Sequence, residues 1–307
     1  MGSNFRMVRL LDGSMWAQLK EFGYDCNSDE NKPHWSFPAN KDMKLMEKVY
    51  TSFLDIGVNS ITTNTYHYGS TLDKDLPGNR GKEDHYAECF QNTCNLLEEL
   101  VRKREGVEVW GSVGTLATFY HNMSEYTGSY VDLPGFEITA SNYYTNILTL
   151  FQEKTNIRKL VFETISSAAE GCVVLEVLKK FPDMKAVISF TFKENACFRH
   201  GEEVSTITGR MTECEQVLGI GINCTDPQNV LPVLKIVEKC RFSEVFVYPN
   251  MGDTRFLNEG SDESDVFNQE MVFNWVQHGA TAIGGCCGIN EAQMRILKKL
   301  IDKVILN

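Results

Sequence analysis

The chain has no apolar run near the ~20 residues of a membrane-spanning helix, and its first residues lack the apolar core of a secretory signal. Met1-Gly2 resembles a myristoylation start, but Arg6 stands where Ser or Thr is expected. A cytoplasmic protein without a membrane partner is therefore expected. Clustered Lys and Arg are missing, and the net charge is −11, which excludes a nucleic-acid backbone as partner. Histidine is scarce, with six in 307 residues, and no Ser-His-Asp or paired-carboxylate constellation stands out. Low-complexity tracts and short internal repeats are absent as well. What remains is a compact globular chain whose 42% hydrophobic content supports a substantial core.

Cysteine is plentiful, at ten residues. In a reduced compartment most are inert packing, and Cys26, Cys89, Cys94, Cys172, Cys197, Cys214 and Cys240 read that way. Cys224, closing Gly221-Ile222-Asn223-Cys224, and the vicinal pair in Gly284-Gly285-Cys286-Cys287-Gly288 read differently. Each ends a short apolar run of β character, so the three thiols can meet at one rim of a sheet. Neighbouring side chains on a regular strand point to opposite faces, and the flanking glycines relax that constraint. Three thiolates with a fourth position open describe a Zn2+ site suited to activating another thiol. A redox pair is the competing reading, although redox motifs usually space their cysteines C-x-x-C.

Eight β-like runs are legible: Val8 to Asp12, Ser60 to Asn64, Val109 to Val113, Lys159 to Glu163, Ala186 to Phe190, Gly219 to Cys224, Val245 to Tyr248 and Thr281 to Cys286. Helical periodicity fills the gaps at Met43 to Ile56, His85 to Arg104, Ala140 to Thr155, Ala168 to Lys180, Gln228 to Lys239, Asp265 to His278 and Glu291 to Val304. Alternation of apolar strands with helices predicts a parallel sheet, and eight units predict an α/β fold of the (β/α)8 TIM-barrel type, a single domain over residues 1–307. A doubly wound open sheet is the alternative. The barrel demands functional residues at strand C-terminal ends, where Asp12, Asn64, Glu163, Cys224, Tyr248 and Cys286-Cys287 fall. The segments Asp25 to His34 and Ala117 to Gly135 read as loops over that face, and the second carries Tyr126 and Tyr130.

Together these motifs resemble the homocysteine S-methyltransferase family. The likeness rests on Leu11-Asp12-Gly13, Thr62-Thr63-Asn64-Thr65-Tyr66, Gly111-Ser112-Val113-Gly114, Tyr126-Thr127-Gly128, Glu163-Thr164, Tyr248-Pro249-Asn250 and the three cysteines. It implies a zinc-dependent enzyme whose partners are homocysteine and a cationic methyl donor, as a monomer or small homo-oligomer. It implies that Glu163 receives the α-amino group of homocysteine, with Asp12 and the backbone around Gly13 and Ser14 fixing its amino-acid end. Cys224, Cys286, Cys287 and Glu163 are thus the expected catalytic set. Asn64 is a further candidate for substrate contact, and Trp35, like Tyr66, Phe190 and Tyr248, offers an aromatic face to the donor cation.

A leaving thioether or amine needs no proton, so the missing general acid is consistent with methyl transfer. Excess negative charge on a trithiolate site favours a sulfonium or quaternary ammonium donor. Thr164 follows Glu163 where the betaine-using branch carries tyrosine, which favours S-methylmethionine, then S-adenosylmethionine. Betaine as donor, selenocysteine or another thiol as acceptor, and a non-catalytic zinc or thiol sensor on the same barrel are the alternatives. Trp16, Thr115 and Met251 depart from the family pattern near the substrate face and bear on donor and acceptor identity.

Overall fold

The computed structural model describes residues 8–28, 31–32, 34–76, 78–251 and 266–305. Eight strands form one all-parallel sheet: β1 Arg9–Leu10, β2 Ser60–Thr62, β3 Glu108–Gly114, β4 Lys159–Ile165, β5 Lys185–Phe190, β6 Val217–Asn223, β7 Glu244–Tyr248 and β8 Ala282–Ile283. Their spatial order, β1-β8-β7-β6-β5-β4-β3-β2, leaves β1 and β2 to meet. They do so through a parallel bridge between Leu11 and Ser60 and through Asn59, whose N–H donates to Leu10 O at 3.0 Å. The closed barrel is therefore the observed fold rather than the open sheet.

Among the described residues, eight helices of nine residues or more cover the barrel: α1 Met43–Ile56, α2 Glu83–Arg102, α3 Phe136–Lys154, α4 Ala168–Leu178, α5 Ser205–Glu213, α6 Pro227–Val237, α7 Gln269–Gln277 and α8 Glu291–Ile305. Helix α1 shows why these segments are helical. Asp42 caps its start, accepting from Lys44 and Leu45 N–H, and Gly57 at φ 98° ends it in the left-handed region. Between the caps Met46, Val49, Tyr50, Phe53 and Leu54 recur at helical spacing and are buried. Each such side chain contributes about 1.5–3 kcal/mol by leaving water, so Phe53→Ala would cost about 3–5 kcal/mol. Helix α8 repeats the pattern with Met294, Leu297, Ile301 and Val304.

Seven of these helices answer to the periodicity of the sequence, and α5 does not. Its Ser-Thr-Ile-Thr-Gly-Arg-Met-Thr-Glu run is rich in weak helix formers and carries apolar anchors only at Ile207 and Met211, both fully buried. Packing, rather than propensity, makes it helical. The expected start of α7 at Asp265 lies outside the described residues. Strand β8 is shorter than expected because Gly284 lets the chain pass so close to β1 that a Cβ there would lie 2.6 Å from Asp12 O. A side chain at that position would push the two strand ends apart.

The barrel interior is packed, with Leu11, Trp110, Val161, Val187, Phe246 and Ala282 forming one cluster and Tyr248 at its upper end. Its N-terminal mouth is closed by charge pairs. Arg9 donates to Glu108 at 2.6 Å and to Glu244, Lys159 donates to Glu108 at 2.9 Å, and the two cations overlie Phe246 and Trp110. None of the described helices is long and apolar enough to cross a membrane.

Candidate active site

The three cysteines singled out by the sequence converge at the C-terminal mouth. Their sulfurs all lie within 4.8 Å of one another, with Cys224 Sγ 3.6 Å and Cys286 Sγ 4.0 Å from Cys287 Sγ. Cys224 and Cys286 are joined as a disulfide across β6 and β8. Local geometry explains the convergence. Cys224 leaves β6 at φ 43°, and Gly288 at φ 82° turns the chain back beneath Met251, whose thioether fills the space where a Gly288 side chain would stand. Cys286 N–H donates to Pro249 O at 2.8 Å and Met251 N–H to Cys287 O at 3.2 Å, so β7 and β8 fix the loop jointly.

This donor set fits a thiophilic metal ion. Sulfurs at zinc–thiolate bond length around a tetrahedral ion stand roughly 3.8 Å apart, close to two of the observed separations. The third pair would take part only when reduced, because the ligands must be thiolates. Burial pushes the Cys287 thiol up to about 11 against an opposing contact from the Tyr126 hydroxyl, so a nearby cation is needed for it to ionise at neutral pH.

Glu163 lies on the adjacent rim. A register shift between Phe162 and Ile165 places Glu163 and Thr164 in a bulge, and Thr164 takes φ 63°, a conformation that costs a β-branched residue free energy. Asn223 holds it there. Its Oδ1 accepts from Thr164 N–H at 3.0 Å and from Ser189 Oγ at 2.7 Å, while its Nδ2 donates to Thr164 Oγ1 at 2.8 Å and to Cys286 Sγ at 3.9 Å. One buried amide thus ties the carboxylate's strand to the thiol cluster. Ser112 Oγ donates to Glu163 Oε2 at 2.8 Å, and the buried Tyr248 hydroxyl faces the same carboxylate. Burial pushes Glu163 up to about 8, and the nearby Asp12 adds to the rise. Asp12 accepts from Thr62 N–H and Thr62 Oγ1, both at 2.8 Å, and burial still pushes it up to about 6. Among the described residues, neither carboxylate has a cationic side chain paired with it.

The remaining candidates are placed as follows. Gly13 packs beneath Met294, where a Cβ would lie 2.9 Å from its Cγ. Ser14 N–H donates to Ile289 O at 3.1 Å and its hydroxyl caps the short helix Met15–Glu21, so both groups have local partners. Asn64 turns outward, since β2 ends at Thr62 and the alternation of faces lapses. Its Nδ2 donates to Ser36 O and Asn40 Oδ1, each at 2.9 Å, so it anchors the loop carrying Trp35 and does not line the mouth. Trp35 stacks on His67 with centroids 6.0 Å apart and planes 15° apart. His67 is neutral, pushed down to about 3 chiefly by burial, and bonds Ser36 Oγ. Phe190 belongs to the outer core with Phe192 and Phe198.

Of the departures, Trp16 lies partly buried under Lys20 on the short helix Met15–Glu21, and Met251 braces Gly288. Thr115 enters a buried network in which its Oγ1, Tyr144 OH and Leu116 N–H all bond the carboxylate of Glu170 on α4, together with Tyr130 OH. That network moors the Ala117 to Gly135 loop, which carries Tyr126 to Cys287. Two contributors were not singled out by the sequence. Ser112 stood only as part of the Gly111-Ser112-Val113-Gly114 motif, with no role of its own, and Arg199, in a polar loop without a motif, had no signal beyond its charge. Its Nη2 donates to Cys224 O at 3.1 Å, its Nε to Thr191 Oγ1 at 3.1 Å, and its guanidinium overlies the Tyr126 ring.

Fold and site together define a (β/α)8 barrel enzyme. Residues 9–301 match the homocysteine S-methyltransferase family, and the chain belongs to that family. Homocysteine S-methyltransferase 2 of Arabidopsis thaliana is 23% identical over 96% of this chain and 93% of its own. Betaine-homocysteine S-methyltransferase of Drosophila melanogaster is 27% identical over 89% and 88%. The solved structure of the homocysteine methyltransferase MmuM from Escherichia coli in its metallated form shares the fold, with a TM-score of 0.78, 22% identity and 95% and 96% coverage.

Proposed function

We propose that this protein transfers a methyl group from a sulfonium, S-methylmethionine before S-adenosylmethionine, to the thiol of homocysteine, giving methionine, with Zn2+ held by Cys224, Cys286 and Cys287. The observation that carries the reading is a trio of thiols within 4.8 Å of one another on the same rim as a buried carboxylate held near pKa 8. When bound, the metal would lower the pKa of a fourth thiol so that a thiolate is present near neutral pH.

The chain's own residues do the rest. Glu163 receives the substrate ammonium, whose positive charge brings the carboxylate back to its ionised form. Asp12, fixed by Thr62, limits where that ammonium can sit. Asn223 keeps the carboxylate's strand in register with Cys286, so the distance between the two substrate-binding elements is preset. Tyr126, on the loop moored by Glu170, sets its hydroxyl against Cys287 at the edge of the thiol cluster. The methyl group moves by in-line displacement: the new S–C bond forms as the donor's C–S bond breaks, and the donor leaves as a neutral thioether. No residue has to give or take a proton in that step.

The experiment is methionine formation by reduced, zinc-replete protein from homocysteine, with S-methylmethionine, S-adenosylmethionine and betaine supplied separately at equal concentration. Turnover is expected with a sulfonium. Tight homocysteine binding with no methionine from any donor would overturn the reading in favour of a sensor.

A further inference from the structure

We propose that Glu125 receives the α-ammonium of the methyl donor and so selects amino-acid sulfoniums over donors whose only cation is the onium centre. This rests on the methyl-transfer reading above. S-methylmethionine and S-adenosylmethionine each carry an α-ammonium beside the sulfonium, whereas betaine has none. Homocysteine carries one too. Two amino-acid substrates meeting at one thiol cluster therefore bring two ammonium groups, and Glu163 can answer only one of them.

Glu125 is a second carboxylate at the cluster. It lies half-buried in the short helical turn Ser124–Tyr126, one residue before the ring whose hydroxyl touches Cys287. The turn is held firmly. Thr127 and Gly128 N–H both donate to Ser124 O, at 3.1 and 2.7 Å, and Gly128, at φ 73°, packs so closely on His200 that a Cβ there would stand 2.6 Å from the His200 Cβ. Two residues further on, Tyr130 joins the Glu170 network. Burial raises the Tyr66 and Tyr126 phenols and the Cys287 thiol, and the charge of Glu125 adds to the rise at all three, so the carboxylate stands among these groups. Glu163 adds to the rise at Tyr66 and Cys287 as well, which sets both carboxylates beside the same thiol. Glu125 accepts from its own backbone N–H, and among the described residues it forms no ion pair. Burial raises its carboxyl above the ordinary value, with the Glu170 charge adding to the effect, and a bound ammonium would return it to the ionised form. The other acidic groups nearby are already engaged. Asp12 is bonded twice by Thr62, and Glu170 by Thr115, Leu116, Tyr130 and Tyr144.

The test measures kcat/KM for S-methylmethionine and for its counterpart without the amino group, (3-carboxypropyl)dimethylsulfonium, in reduced wild type, E125Q and E125D at equal metal content, with homocysteine KM read alongside. Wild type is expected to prefer S-methylmethionine by about 100-fold, and E125Q to lose that preference through the donor KM with homocysteine KM unmoved. E125D, which keeps the charge on a shorter stem, should retain about 10-fold of it. Should E125Q fail to fold, E125D decides alone, and an undiminished preference there overturns the assignment. Preference intact in E125Q, equal losses on both donors, or a rise in homocysteine KM in place of the donor KM would overturn the assignment and leave the methyl-transfer reading standing. Inactivity of wild type with both sulfoniums would overturn the assignment and the sulfonium reading together.

Discussion

At the N-terminal mouth of the barrel Arg9, Lys159, Glu108 and Glu244 neutralise one another, while at the C-terminal mouth Asp12 and Glu163 are met by hydroxyl and backbone donors, with no ion pair to either among the described residues. The carboxyl groups respond in opposite directions. Burial would raise Glu108, but Lys159 and Arg9 override it and hold the group below its ordinary value, whereas burial prevails at Glu163 and raises it to about 8. The same fold thus spends its charges on stability at one end and leaves them unsatisfied for a ligand at the other.

The comparison can be broken most sharply at the thiols. Cys224→Ser should lower methyl transfer by about a thousandfold or more and abolish metal binding, checked by turnover and metal analysis, with the barrel's circular dichroism preserved. Oxidation should act on the same group without mutation. Mild oxidant is expected to remove metal and activity together, and reductant plus zinc to restore both, because Cys224 and Cys286 can pair as a disulfide. Activity that survives verified complete metal removal would sink the zinc mechanism.

Glu163→Gln comes next and separates binding from stability. Homocysteine KM should rise about 100-fold, since a buried ammonium loses its counter-charge. Stability should move the other way. Between the unfolded value near 4.5 and the folded value of about 8, native Glu163 keeps a proton that the unfolded chain releases, so wild-type stability falls as pH rises through that window. Glutamine does not titrate, and the variant should gain roughly 1–3 kcal/mol over wild type at pH 8 relative to pH 5, read by denaturant melts. The smallest effect belongs to the floor. Arg9→Met should cost about 1–3 kcal/mol of stability, discounted for partial exposure, and leave homocysteine KM unchanged. A large KM effect there would erase the distinction between the two mouths.

The parallel alternation, the strand ends and the thiol trio were legible because each is a local pattern: apolar runs, helical spacing, and glycines around Cys286-Cys287. Helix α5 was not, because its anchors are two residues whose burial depends on partners elsewhere in the fold. Asn64 shows the same limit within the site. Its place in Thr62-Thr63-Asn64 suggested a residue facing the mouth, yet β2 ends two residues earlier and the amide turns to Asn40 and Ser36.

By itself, then, the sequence determined the barrel and the residue types at its C-terminal rim, since periodicity and strand ends are properties of neighbouring residues. The tertiary structure alone decided which distant groups face one another. The cross-strand Cys224–Cys286 pairing, the Asn223 clamp on Thr164, the Ser112 bond to Glu163 and the seating of Arg199 against Cys224 and Tyr126 each join residues from different βα units. Such contacts follow from barrel closure and strand register, which fix positions in space that no local pattern encodes.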